Sequence, residues 1–224
     1  MRMNLTFITR RTFISLLALA AFLPATLLCA AEAPLRVACV GDSITHGAGV
    51  EQREKNHYPK VLGELLGANY EVKNFGRSGA TLLKKGDLPY WKTGEFKGAT
   101  DFAPQIVIIK LGTNDSKPQN WAHKAEFAAD ARARVEHFQS LPSKPKVYVC
   151  LPVPVYETKW GINETVVKGE VITTLQQVAK EMKLPSIDLY AALSGKAALF
   201  PDKIHPNAAG AKVIAETVAK ALKP

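Results

Sequence analysis

A serine, a histidine and an aspartate stand in this chain where their types can perform acyl transfer. Ser43 follows the apolar run "LRVACV" within "GDSITHG", and Asp202 and His205 lie three residues apart in "PDKIHPN". A serine hydroxyl is a weak nucleophile until a neighbouring base takes its proton. An imidazole titrates near neutral pH and suits that task. An aspartate on its far ring nitrogen would fix the tautomer and stabilise the imidazolium. The tetrahedral intermediate also needs donors held in place beforehand. The backbone N–H groups of Ser43 and Gly79, with the side-chain amide of Asn114 in "GTND", have suitable types. Gly79 lacks a Cβ that would bar close approach. Asp42 and Asp115, each next to one of these residues, are supporting acids.

Taken singly, each of these residues reads as a turn, a cap or a surface side chain, so the fold must decide. Apolar runs at 35–40, 70–75, 105–112, 146–152 and 186–190 alternate with helical patterns around 58–67, 124–140, 163–182 and Pro206–Leu222. The runs are continuous rather than alternating, which argues for a parallel sheet covered on both faces. The fold expected is a three-layer α/β/α, flavodoxin-like domain over residues 32–224 with a five-stranded parallel sheet. Ligands bind such sheets at the carboxyl ends of the strands. Gly41-Asp42-Ser43 follows the first run, "NFGRSGA" the second, "GTNDS" the third, and Asp202 and His205 come after the fifth. Pro206 suits the first helical position, which would set His205 at the helix mouth.

The interval 76–103 shows no clear period and reads as a long functional loop walling a pocket. Trp121, and Tyr90 or Trp91 within that loop, are candidates for stacking on a sugar. Lys84, Lys85, Lys92 and Lys97 near the expected mouth could favour an acidic sugar, but a solvated lysine-rich loop is the better reading. A rival nucleophile, Ser78 in "GRSGA", half-matches a nucleophile elbow. Too few strands precede it, and Ala80 stands where that motif has glycine. Asp188 is expected as a structural acid at the end of the last strand.

Composition bounds the remaining classes. The 224 residues are 47% hydrophobic and 22% charged, which excludes a disordered chain and a disulfide scaffold. Arg2, Arg10 and Arg11, the apolar "FISLLALAAFLPATLL" and the small residues of "CAAEA" read as an export signal over residues 1–31. "TRRTFIS" resembles a twin-arginine signal, and the general secretory route fits too. Leu28 is bulky for lipoprotein processing at Cys29. The protein is therefore expected outside the cytoplasm, with no stable membrane insertion of the mature chain. Removing that leader lowers the net charge of +9 by three arginines. The lysines are scattered without an aromatic-interleaved basic stripe, so no nucleic-acid partner is expected. Cys39 and Cys150 sit in separate apolar runs as small core residues. No CxxC pair and no His/Cys cluster has metal-ligand spacing, and no metal is expected.

The blocks "GDSIT", "NFGRSG", "GTND" and "DKIH" together resemble those of the SGNH (GDSL) hydrolases, in order and spread over residues 41–205. Ile44 stands where the family often has leucine. The resemblance implies a flavodoxin-like sheet, a Ser43–His205–Asp202 triad, an oxyanion hole and ester hydrolysis with no cofactor. "LGTNDSKPQNW" is similar to a branch of carbohydrate acetylesterases and sialate O-acetylesterase-like proteins. The expected partner is a small-molecule or polysaccharide ester. A lysophospholipase or acyl thioesterase, and a catalytically silent carbohydrate-binding protein, are the alternatives carried forward.

Overall fold

Each apolar run becomes a strand whose alternate residues enter different cores. The computed structural model describes residues 33–223, and the expected leader lies outside them. Strands β1 (Leu35–Gly41), β2 (Tyr70–Gly76), β3 (Ile106–Lys110), β4 (Lys146–Leu151) and β5 (Ser186–Asp188) form one sheet in the order β2-β1-β3-β4-β5. All four pairings are parallel. Val37, Cys39, Ile108, Tyr148 and Cys150 face one side, packed under the helices Tyr58–Leu66 and Ala208–Leu222. Ala38, Val40, Val107, Ile109, Val147 and Val149 face the other, against helices Phe127–Gln139 and Ile172–Glu181. Burial on both faces is why the runs read as continuous. Cys39 and Cys150 are buried free thiols.

The sequence expectations are met in the sheet and corrected in three places. Residues 76–103 are not all loop: Tyr90–Lys92 makes a 3-10 turn and Gly94–Asp101 a helix. Thr93 caps that helix by accepting from the Phe96 N–H at 3.1 Å. The last helix begins at Ala208, not Pro206, because Asn207 caps it through Gly210 N at 3.0 Å. His205 and Pro206 thus precede the cap. The helix expected over 163–182 is broken by a π-helical stretch, Val167–Val171. This wider turn leans Val171 onto Gly112, where a Cβ would lie 2.8 Å from Val171 Cγ1.

The carboxyl ends of β1 and β2 are shaped for close approach. A Cβ at Gly76 would lie 2.1 Å from the His46 nitrogen, so only glycine lets the short helix Ser43–His46 rest on the end of β2. Beneath that helix lies an ion pair with no solvent exposure on either side chain. Lys110 Nζ, at the end of β3, reaches both carboxylate oxygens of Asp42 at 3.1 and 3.0 Å and Thr113 Oγ1 at 2.9 Å. Asp42 also accepts from the Ile44 N–H at 3.0 Å, capping the helix that begins at Ser43. Removing one member would leave a buried charge without its partner, a loss of about 3–5 kcal/mol. Lys110→Met should therefore lower the unfolding free energy by that amount, read as a fall in urea midpoint at unchanged slope, and Asp42→Asn/Lys110→Met should regain a large part of it. Equal losses in the single and double variants would contradict the pairing.

Candidate active site

The order 2-1-3-4-5 places the switch in chain direction between β1 and β3, where a crevice opens at the carboxyl ends. Ser43 follows β1 there and Asn114 follows β3. Facing them, the segment Asp202–His205 is folded by one carboxylate. Asp202 Oδ1 accepts from Ile204 N at 2.9 Å and His205 N at 2.6 Å. Its Oδ2 lies 2.7 Å from His205 Nδ1. Lys203 adopts φ +73° within this turn, and its carbonyl accepts from Tyr156 N at 2.9 Å, tying the turn to the loop after β4. His205 Nε2 comes to 2.9 Å from Ser43 Oγ, a contact spanning 162 residues of sequence.

These contacts fix the proton positions. An ionised carboxylate only accepts, so Nδ1 must donate to Asp202. In the neutral imidazole Nε2 is then bare and accepts the Ser43 O–H. Burial alone would raise the Asp202 carboxyl, but the N–H bonds from His205 and Ile204 outweigh it and hold it below the usual carboxylate range.

Ser43, Gly79, Asn114 and His205 line one cleft of about 310 Å3. Gly79 holds φ +84°, a conformation that favours glycine. Among the described residues the N–H groups of Ser43 and Gly79 bond to no other backbone carbonyl. The Asn114 amide gives one proton to Ala80 O at 3.1 Å, leaving its second for the cleft.

Three side chains from around β3 hold the Gly79 segment. Asp115 accepts from Leu82 N at 3.0 Å and Leu83 N at 2.8 Å. Asp130 accepts from Lys84 N, and Asn120 from Asp87 N, both at 2.8 Å. Full burial pushes the Asp115 carboxyl up to about 7 despite its two N–H donors. Its role in the geometry is to anchor the loop.

The aromatic candidates are placed elsewhere. Tyr90 is wholly buried, its hydroxyl donating to Phe75 O at 2.6 Å. Trp91 packs on Phe96 and lies 3.8 Å under the Arg134 guanidinium. Trp121 packs edge-on against Phe127. None of the three lines the cleft, and neither do Lys84, Lys85, Lys92 or Lys97. Lys84, Lys85 and Lys97 pair instead with Asp130, Glu126 and Asp101. Asp188 caps helix Leu189–Leu193. Ser78 does line the cleft, but the imidazole reaches Ser43. The cleft residues that sequence reasoning missed are Ala48, Lys117, Trp160 and Ile162. The last two come from the loop after β4, the one strand end whose following segment was not read for chemistry. A larger groove of about 480 Å3 lies over Pro59, Gly63 and Tyr70, away from this chemistry.

Known proteins align with this arrangement. The model of the GDSL-like lipase/acylhydrolase family matches residues 39–213. An acetylxylan esterase of Xylanibacter ruminicola is 41% identical over 210 residues, covering 86% of this chain and 44% of that protein. The chain spans about half the length of the curated relatives it matches. Among solved structures, Est24, a carbohydrate acetylesterase from Sinorhizobium meliloti, superposes with a TM-score of 0.70 at 21% identity, covering 84% of this chain and 98% of that one. Axe2, an acetylxylan esterase from Geobacillus stearothermophilus, gives 0.67 at 20% identity, covering 86% and 95%. At those identities the likeness shows the flavodoxin-like fold. The family match runs from within β1, through the Ser43 turn, to beyond His205, and the chain belongs to the GDSL-like lipase/acylhydrolase family.

Proposed function

We propose that this chain is a serine esterase that removes short acyl groups, acetyl above all, from carbohydrate esters. The observation that carries the reading is the unbroken relay from Asp202 through His205 to Ser43. The acetyl and carbohydrate parts draw support from the named activity of the Xylanibacter ruminicola relative. The basic and apolar leader-like sequence of residues 1–31 supports work outside the cytoplasm.

In the proposed reaction Ser43 Oγ attacks the ester carbonyl carbon as its proton passes to His205 Nε2. The carbonyl oxygen becomes an oxyanion facing the N–H groups of Ser43 and Gly79 and the free amide proton of Asn114. Asp202 stabilises the imidazolium without taking its proton. The intermediate collapses, the C–O bond to the alcohol breaks, and Nε2 returns the proton to the leaving oxygen. Water then attacks the acyl-serine, giving its proton to Nε2. The acid leaves as Ser43 Oγ recovers that proton.

Three outcomes are expected. Ser43→Ala should abolish hydrolysis of p-nitrophenyl acetate and acetylated xylan while leaving the urea midpoint close to that of the parent. Full activity in that variant would sink the nucleophile assignment. Asn114→Ala should lower kcat by roughly 10²–10³-fold, with a stability loss of about 1 kcal/mol from the Ala80 bond; a kcat within threefold of the parent would remove Asn114 from the oxyanion site. The third concerns acid. Asp202 has a folded pKa below its unfolded value, so its stabilisation is present above about pH 4 and is lost as pH falls through the folded value. The stability gap between parent and Asp202→Asn should narrow as the pH falls below about 4, through the lowered folded value; a gap constant with pH in that range would refute the linkage.

A further inference from the structure

Trp160 is the most exposed large apolar side chain among the described residues, at 58%, and it stands at the cleft beside the relay. An indole left in water forgoes the large area it would otherwise bury. Its backbone is also in the left-handed region, φ +53°, which a bulky residue rarely adopts. The next residue, Gly161, follows at φ +80°. The loop is nonetheless firmly seated. Lys159 and Ile162 form a β-bridge, with Ile162 N donating to Lys159 O at 2.9 Å. Ile162 is only 3% exposed, and Asn163 N donates to Ser116 Oγ at 3.0 Å. An anchored loop thus holds one indole outward against both solvation and backbone preference. Such local conflicts with folding gather where function requires them.

The chemistry of the relay says which part of the substrate meets this ring. His205 Nε2 must protonate the departing alcohol oxygen, so the alcohol leaves past the imidazole. The oxyanion lies on the other side, toward Gly79 and Asn114. The Trp160 ring centroid is 5.7 Å from that of His205, with the planes tilted by 42°. It therefore stands beside the alcohol's path. A flat π face with a negative quadrupole suits the C–H face of a pyranose ring, whose hydroxyls project sideways. Lys159 Nζ rests over one face of the indole, 4.8 Å from its centroid, and Lys117 on the cleft wall is paired with Asp87 at 3.3 Å, so the ring's other face is the one left for a sugar.

We infer that Trp160 is a stacking platform for the sugar ring that carries the scissile ester, a saccharide subsite on the alcohol side of Ser43. The inference rests on the ester-hydrolase reading above and names its substrate contact. Trp160 acts on substrate binding, so its effect belongs in KM for sugars and not in the chemical step.

The test compares the parent, Trp160→Ala and Trp160→Phe on acetylated xylotetraose and on ethyl acetate, whose alcohol is too small to stack. Trp160→Ala should raise KM for the sugar ester roughly tenfold, with Trp160→Phe between them. kcat/KM for ethyl acetate should stay within about twofold. Tryptophan fluorescence of Ser43→Ala, titrated with acetylated xylotetraose, should saturate, and that response should vanish in Ser43→Ala/Trp160→Ala. An unchanged sugar KM would overturn the platform, as would an equal fall on both esters, which would make the indole a support for His205. If the parent hydrolyses ethyl acetate but neither hydrolyses nor binds the sugar ester, the platform fails while the esterase reading stands. If neither ester is cleaved, the catalytic reading fails and the fluorescence titration alone decides the platform.

Discussion

The buried pair between Asp42 and Lys110 is the constraint on which the rest of the cleft depends. Its two side chains come from the ends of β1 and β3, the neighbouring strands between which the crevice opens. All three ammonium protons of Lys110 are used, two on Asp42 and one on Thr113. Asp42 in turn receives the Ile44 N–H, so the helix that begins at Ser43 is tied to the strand that precedes Asn114. The separation of Ser43 from Asn114 is thereby set by a fully desolvated contact. Such a contact is strong in a low dielectric and intolerant of losing one partner. A polar network of this kind has little to gain in net stability over apolar packing. What it supplies is one fixed arrangement of the residues above it.

The side chains that accept backbone N–H groups behind this cleft divide by what else they accept. Asp115, Asp130 and Asn120 take backbone N–H groups from residues 82–87 and so hold in place the chain that carries Gly79. Asp202 takes two backbone N–H groups as well, but its second oxygen is given to an imidazole. The difference shows in their titration. Asp115, wholly buried, is driven up to about 7, whereas Asp202, partly exposed, is held low by its donors. One carboxyl anchors a loop; the other is held low while its free oxygen meets an imidazole.

The sheet was legible because β-branched runs with no alternation have one good physical solution, burial on both faces, and all five strands lie where the pattern sets them. That Ser43, Asn114 and His205 come to one cleft was legible because rules about strand ends narrow the places where they can meet. The aromatic candidates misled for a reason of chemistry: a phenol or indole in a glycine-rich segment has the same composition whether it faces solvent or core. Tyr90 faces inward because Phe75 O is there to accept its hydroxyl proton. Helix Gly94–Asp101 was hidden by two glycines and a single fully buried position, Ala99, which leave no apolar stripe to read. Trp160 was within reach of the strand-end rule, since "PVPVYETKWGIN" directly follows β4. Its outward pose depends on a left-handed φ that composition does not display.

Backbone strain is distributed with the same logic. Lys203 at φ +73° bends the Asp202–His205 turn, and Trp160 at φ +53° turns the loop opposite it. Each costs of order 1–3 kcal/mol if unrelieved. Both are braced by hydrogen bonds of the loop after β4: Tyr156 N to Lys203 O across to the turn, and Ile162 N to Lys159 O within the loop itself. The loop after β4 therefore does two tasks at once. It braces the turn that presents the imidazole, and a few residues later it presents an indole beside that imidazole. The backbone of this loop thus bears on the positions of both His205 and Trp160, whereas the loop before Gly94 is anchored separately by Asp115 and Asp130.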